Sequence, residues 1–460
     1  MFKNIIPSQQ SSPNIWTMLR PVLVVGVLLL SAAIAYIGSY KELVLVIALL
    51  ASLPMLLVAI RYPSLGLIAI LVSGMAIPIT GPSGVNPTMG LVALFTGLWI
   101  FGMVVQDREV KLTDSRTTRP LIIMVVGACL SFIIGQLRWF DPVLPAPIGA
   151  QLGALSMFIL AAFAFFLGAN QIKDLRWLRW MVWAFVGCAA FFLVTRMLPF
   201  SLPGFFKGGE YRGIMVVWFG SLAFSMALYN KDLSWPWRLA FAALTLLIVY
   251  YTFILKYREK SGWMPLLLSF AVIWAVRSKR AALVVILLGL IPAIGLVSDA
   301  LASDDYSVST RMDALVIMLQ IAKTNPLFGL GPANYRWYTA LFAIRGFDVA
   351  FNSHNNYADI LAQNGLVGVF SFLWIFIEVG WLAFKLRYRV VEGFARAYIF
   401  AALGATAGTV VAAAMADWVI PFFYNLGMQG FRSSAVGWLL SGAVVSVGHL
   451  ALKTSQEQSA

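Results

Sequence analysis

Apolar runs long enough to cross a bilayer recur along nearly the whole 460-residue chain. About twenty helical residues span some 30 Å of hydrocarbon, where only a helix or a closed barrel satisfies its own backbone. Fourteen such runs are predicted, at roughly 21–38, 43–60, 64–79, 88–105, 120–135, 151–169, 177–198, 213–229, 237–255, 261–277, 281–298, 363–384, 396–416 and 433–450. Several are short, so twelve spans result if one or two only re-enter the membrane. Composition agrees, with 61% hydrophobic and only 11% charged residues, where a soluble domain carries about a quarter charged. The expected fold class is an all-α polytopic membrane protein of about 12–14 transmembrane helices, with one long, partly helical loop outside the bilayer.

Loop charge sets the orientation. The first run imitates a signal peptide, with Lys3 and Arg20 before it and "AAIA" at 32–35, but its polar lead is long and further spans follow at once; it is read as a retained span. With both termini in the cytoplasm, most of the 33 Lys and Arg fall in inner segments, as the positive-inside bias requires. That bias accounts for much of the net charge of +14 without nucleic acid. The positive charge left outside gathers in three places, 196–212, 256–260 and 299–360. Long loops escape the insertion bias, which covers the third. The five-residue "KYREK" at 256–260 is not covered and asks for a reason.

The chain therefore divides into spans with basic outer loops over 1–298, an outer loop over 299–362, and C-terminal spans over 363–460. The loop has enough apolar content to fold. After the polar "SDDYSVST" comes a helical stretch, 311–324, with Thr310 as the expected N-cap and the Asn325-Pro326 pair as its stop. Leu315, Met318, Leu319 and Ala322 mark its expected buried face. A Gly/Pro turn, "LFGLGP", then leads through the aromatic-rich "ANYRWY" towards one of the chain's two histidines.

That histidine, His354, is the leading candidate for chemistry. It sits at an outer membrane boundary, its pKa suits proton handling near neutrality, and Asn352, Asn355 and Asn356 flank it with groups able to orient an imidazole or bind sugar hydroxyls. On the same side lie Arg212 behind a glycine pair in "GGEYRGIM", the trio Lys256, Arg258 and Lys260, and Arg311 at the start of the loop helix, where backbone N–H groups favour anions. Guanidinium groups pair with phosphate oxygens in bidentate fashion, so several together suit a pyrophosphate. The plain alternative is local pairing, Arg212 with Glu210 and Arg258 with Glu259. His449 is incidental to the site. No Cys/His metal cluster exists, Asp304 and Asp305 read as a solvated turn, and Cys129 and Cys188 lie within apolar runs as buried thiols. A transporter would show repeated halves or ionisable groups near the midplane, and neither is evident. A scaffold for polysaccharide assembly remains a third class.

The stretches "STRMDALVIMLQIAKTNPLFGLGPANY" (309–335) and "SHNNYADILAQNGLVGVF" (353–370) together resemble the O-antigen ligase and O-antigen polymerase superfamily. The first matches its Arg-led outer-loop helix followed by a Gly/Pro turn and an aromatic, here Tyr335. The second matches its His-Asn element leading into the next span. The resemblance implies a bacterial inner-membrane glycosyltransferase with its active loop in the periplasm. Its donor would be a glycan on undecaprenyl pyrophosphate, and its acceptor a glycan or lipid A-core-type hydroxyl. It implies neither a metal nor a nucleotide cofactor. Its pyrophosphate-contacting arginines would fall on Arg212, Arg258 and Arg311, and its functional histidine on His354, which would accept or orient the hydroxyl proton. Asn355, Asn356 and Tyr335 would contribute to substrate binding. The span that members often begin with a Ser-Arg-Gly-like start opens here with "KYREKSGW", so Lys256 or Lys260 stands as an alternative to Arg258. Ligase and polymerase share this donor chemistry.

Overall fold

The computed structural model describes residues 61–459 apart from 82–83, 107, 142, 199–212, 277, 279 and 281–305. The chain divides into two units, Met1–Tyr62 and Pro63–Ala460; the first lies outside the described residues but for its last two. The expected spans at 21–38, 43–60 and 281–298, and Arg212, also lie outside them.

The described residues form an all-α membrane protein without a β-strand. Its helices are α1 (Pro63–Ala76), α2 (Pro87–Phe101), α3 (Thr118–Ile134), α4 (Ile148–Asn170), α5 (Leu175–Met197), α6 (Ile214–Tyr229), α7 (Trp235–Val249), α8 (Lys260–Ala275), α9 (Tyr306–Ala322), α10 (Tyr335–Thr339), α11 (Asn356–Leu386), α12 (Phe394–Met415) and α13 (Phe431–Ser459). Seven of the described helical segments are long and apolar enough to span a membrane: Pro87–Val105, Ile148–Asn170, Leu175–Met197, Trp235–Leu255, Asn356–Leu386, Phe394–Met415 and Met428–Leu452. Three shorter apolar helices, α1, α3 and α6, accompany them.

Local chemistry sets several helix starts. Asn86 caps α2, its side chain accepting the Met89 N–H with Pro87 in the first turn. Asp174 caps α5 in the same manner. Without water to drive association, spans hold together through close backbone approach and interhelical hydrogen bonds. The α4–α13 pair shows both: a Cβ on Gly442 would fall 2.0 Å from the Phe165 carbonyl oxygen, and Ser446 Oγ donates to the Gly168 carbonyl at 2.8 Å. Arg432, 3% exposed, turns inward and donates to the carbonyls of Gly74 and Met75 at 3.1 and 3.3 Å, satisfying the end of α1.

Two expectations for the outer loop change. Helix α9 begins at Tyr306, so Thr310 lies inside it and Arg311 sits past the first turn, away from the orphan N–H groups. Nothing in 306–310 breaks a helix, since the stretch holds neither Gly nor Pro. Its buried face is Ala314, Ile317, Met318, Ile321 and Ala322, whereas Leu319 is 46% exposed. Helix α9 packs against α11, and Ala314 joins the buried core that also holds Ala358 and Ala362 of α11, while Leu319 stays outside.

Helix α11 is interrupted where the outer loop meets it. Gly365 has φ 65° and ψ −162°, breaking the ladder of hydrogen bonds. The loop 326–331 fills the break. Leu330 N and Gly331 N donate to the carbonyls of Ala362 and Gln363 at 2.9 and 3.0 Å; in return Leu366 N and Val367 N donate to those of Pro326 and Leu327 at 2.8 and 3.2 Å. The approach is so close that a Cβ on Gly329 would lie 2.4 Å from the Gln363 backbone. The two motifs singled out in the sequence are the two halves of this interlock.

Candidate active site

The outer loop holds a cleft of about 450 Å³, lined among others by Thr310, Arg311, Arg336, Phe351, Asn352 and His354. Three secondary elements supply its polar groups. Helix α9 supplies Arg311, α10 supplies Arg336, and the turn before α11 supplies His354. They are tied together beneath the cleft by a small core in which Ile317, Met318, Tyr335, Tyr338, Ala358 and Phe422 are all buried.

His354 is held in the left-handed region at φ 49°, a conformation that histidine tolerates better than most residues but that still carries a cost. The following residues account for it. Asn355 Oδ1 caps α11, accepting the N–H groups of Tyr357 and Ala358 at 2.9 and 3.3 Å, and its Nδ2 donates to the Ala414 carbonyl at 2.9 Å. Asn356 is fully buried and bonds the loop after α12 through both ends of its amide: Oδ1 accepts from Val419 N at 2.9 Å, and Nδ2 donates to the Ile420 carbonyl at 2.6 Å. The two asparagines thus pin the chain immediately after the turn that displays the imidazole.

That same loop also reaches the ring. Asn425 Nδ2 lies 3.1 Å from His354 Nδ1 and donates at 2.7 Å to Oδ1 of Asp417, whose Oδ2 accepts from Phe422 N at 3.0 Å. Asp417 is only 1% exposed. Burial pushes its carboxyl pKa up, while the Phe422 and Asn425 N–H groups pull it back. His354 is held below the ordinary histidine value, mainly by burial; Asp417 opposes this and the positive charge of Arg311 adds to it.

Arg311 is exposed and has neither a hydrogen-bond nor an ion-pair partner among the described residues. Arg336 lies over the Tyr424 ring at 5.3 Å and donates to the Tyr424 carbonyl at 3.3 Å, which orients a half-buried guanidinium into the cleft. The neighbouring Arg345 is engaged by Asp313 at 2.7 Å.

The remaining sequence candidates lie elsewhere. Tyr335 is fully buried beneath the cleft, stacked on Phe422 at 4.5 Å, and donates to Asp359 Oδ1 at 2.5 Å. Burial and the Asp359 charge push its phenol far above the usual range. Lys256, Arg258 and Lys260 form the tight turn between α7 and α8 and line none of the cleft. There the expected Arg258–Glu259 pair is replaced: Glu259 takes Lys256 at 2.9 Å, and Arg258 Nε donates to the Tyr257 hydroxyl at 3.0 Å. Arg336, Asp417 and Asn425 are the participants that sequence reasoning did not single out. Arg336 was visible only as one more outer positive charge, and nothing in the sequence ties the 417–432 loop to a histidine some sixty residues earlier.

Residues 208–373 match the O-antigen ligase family. No curated protein matches the chain. The matched region runs from the segment before α6 into α11, so it holds the basic turn, Arg311, Arg336, both halves of the interlock and His354. It supports the resemblance drawn from the two motifs, and with it a glycan-transferring role for a multi-pass membrane protein.

Proposed function

We propose, from the O-antigen ligase region at the centre of this chain, that the protein moves a glycan from an undecaprenyl-pyrophosphate carrier to an acceptor hydroxyl. The reaction takes place on the periplasmic face of the bacterial inner membrane. The observation that carries this reading is the cleft itself: Arg311, without a partner among the described residues, an oriented Arg336 and a largely uncharged His354 share one cavity of about 450 Å³. It opens beside the N-terminal ends of the apolar helix α11, where a lipid-borne donor and a water-borne acceptor can meet.

Transfer breaks the bond between the anomeric carbon and a pyrophosphate oxygen, and negative charge grows on the departing group. Fixed guanidinium groups stabilise that charge without reorganising, which is where preorganised electrostatics act most strongly. Arg311 and Arg336 take this part, with Arg212 as a further contributor in the outer loop before α6. Lys256, Arg258 and Lys260 gather anionic donor at the membrane surface from their separate turn, a role that steers rather than activates. His354 faces the acceptor side and handles or orients the reacting hydroxyl; Asn355 and Asn356 serve it by fixing the turn. Tyr335 acts from below, through Asp359.

The test is twofold. Deleting the gene and separating surface glycans by electrophoresis distinguishes the two members of the class: unattached long chains indicate a ligase, single repeat units a polymerase. Purified protein given a lipid-linked glycan and an acceptor should then yield a transferred product. A deletion strain with unchanged surface glycans, together with no transfer by the purified protein, refutes the proposal.

A further inference from the structure

Which proton the imidazole carries decides what it can do, and the bonds around Asn425 bear on it. The Asn425 Nδ2 nitrogen is within hydrogen-bond distance of two acceptors, Asp417 Oδ1 at 2.7 Å and His354 Nδ1 at 3.1 Å. An amide nitrogen has two hydrogens and no lone pair to offer. Reversing the amide would set its oxygen against a carboxylate that only accepts. The Phe422 N–H at 3.0 Å from the other carboxylate oxygen favours the ionised form. With both hydrogens of Nδ2 committed, His354 Nδ1 must present its lone pair. A neutral ring then carries its hydrogen on Nε2, and Nε2 has no protein partner among the described residues.

We propose that Asn425 is a positioning residue that locks this tautomer, so that His354 offers the cleft an Nε2–H donor and not a basic lone pair. The inference rests on the transferase reading and deepens it. Arg311, Arg336 and His354 then all present donors to the cleft, and no carboxylate lines it among the described residues. The acceptor oxygen forms its bond to the anomeric carbon as the carbon–oxygen bond to pyrophosphate breaks. The electron pair of that bond leaves with the pyrophosphate. The acceptor proton goes to a pyrophosphate oxygen, which becomes more basic as it departs. The site thus recognises a substrate that brings its own base, a phosphate ester of a sugar anomeric centre, and His354 Nε2–H holds the reacting oxygens in place.

The chain has only two histidines, so His449→Gln leaves a single imidazole to observe. In that protein, labelled with ¹⁵N-histidine and reconstituted in lipid, magic-angle-spinning spectra report which ring nitrogen is protonated. The expected result is a bare Nδ1 and a protonated Nε2; a protonated Nδ1 overturns the proposal. Asn425→Asp supplies an acceptor at Nδ1, so it should invert the tautomer. It should also lower transfer by about 10²–10³, the usual cost of losing one preorganised donor. Inversion with transfer intact overturns the donor role. His354→Gln, whose amide nitrogen can still donate near the Nε2 position, should retain more activity than His354→Ala and lose the pH dependence that an imidazole imposes; equal loss in both overturns it as well. If the unaltered protein shows the expected tautomer but transfers nothing, the transferase reading fails and the tautomer assignment stands.

Discussion

Gly365→Ala places one methyl group at the point where the outer loop meets α11. At φ 65° and ψ −162° the residue occupies a region open almost only to glycine, and forcing another residue into it costs about 1–3 kcal/mol. The added Cβ would also stand 2.3 Å from the Leu327 carbonyl oxygen, a distance no carbon tolerates. The loop must then withdraw, and the bonds from Leu366 N to Pro326 O and Val367 N to Leu327 O are lost together. At about 0.5–1.5 kcal/mol each, the sum is about 2–6 kcal/mol of local stability. Cys129 and Cys188, free and half-buried in α3 and α5, serve as internal reporters: a thiol-reactive fluorophore followed on heating should label the variant several degrees earlier than the parent. Gly97→Ala is the control. Gly97 lies within α2 and has no atom within 4 Å of its Cβ position, so alanine there should be neutral or should stabilise by about 0.5–1 kcal/mol. Equal labelling temperatures for Gly365→Ala and the parent would refute the interlock as a structural joint.

Further outcomes follow from the site. Arg311→Ala should reduce transfer by about 10²–10³ in a purified assay with unchanged thermal labelling, because the guanidinium contacts no partner among the described residues; Arg311→Lys should restore only part, lacking the bidentate fork. Arg336→Ala should lower transfer and also loosen the Tyr424 loop, measurable as faster amide exchange around Asn425. The depressed pKa of His354 means that the neutral ring persists below the usual value of about 6.5. Its stabilising contribution is complete above the unfolded pKa and is lost as pH falls through the folded one. Labelling temperature should therefore begin to fall below about pH 6.5, activity should hold further down until the folded ring itself titrates, and His354→Gln should remove that His-dependent part of the acid limb. Asn356→Ala should strand Val419 N and Ile420 O and cost about 1–3 kcal/mol for each buried group, read by the same thiol assay.

The spans were legible because each is a long apolar run and hydrocarbon leaves a backbone few choices. Predicted and observed bounds differ by few residues at most helices, for example 151–169 against Ile148–Asn170. The exceptions are α13, which runs on to Ser459 past the expected 450, and α11, which starts at Asn356 and not near 363, because Asn355 caps a helix that hydropathy alone cannot see. His354 and Arg311 were singled out by type and position in the outer loop, and both line the cleft. The orientation of α9 was not evident, since Leu315 and Leu319 look as apolar as the residues that are buried. Asp417 and Asn425 escaped for a different reason: their partner is distant in sequence, and a short loop with ordinary polar residues carries no periodicity to betray it.

The linked motifs now have a physical reason to occur together. "NPLFGLGP" and "NGLVG" exchange four backbone hydrogen bonds across the break at Gly365, and such an exchange demands glycines where the two backbones touch. The interlock fixes the end of α9 against the first turns of α11, with Tyr335 and Ser353 both donating to the buried Asp359 at 2.5 and 2.6 Å. Phe351 N adds a bond to Thr339 Oγ1 at 3.1 Å. Arg311 belongs to one half of this joint, His354 precedes the other, and Arg336 lies on the short helix between. A catalytic constellation must be held to a fraction of an ångström by elements that cannot drift, and an outer loop of some sixty residues would drift without such a joint. The glycines that make the motifs recognisable let two backbones close to contact distance, while Arg311, Arg336 and His354 meet in a common cleft.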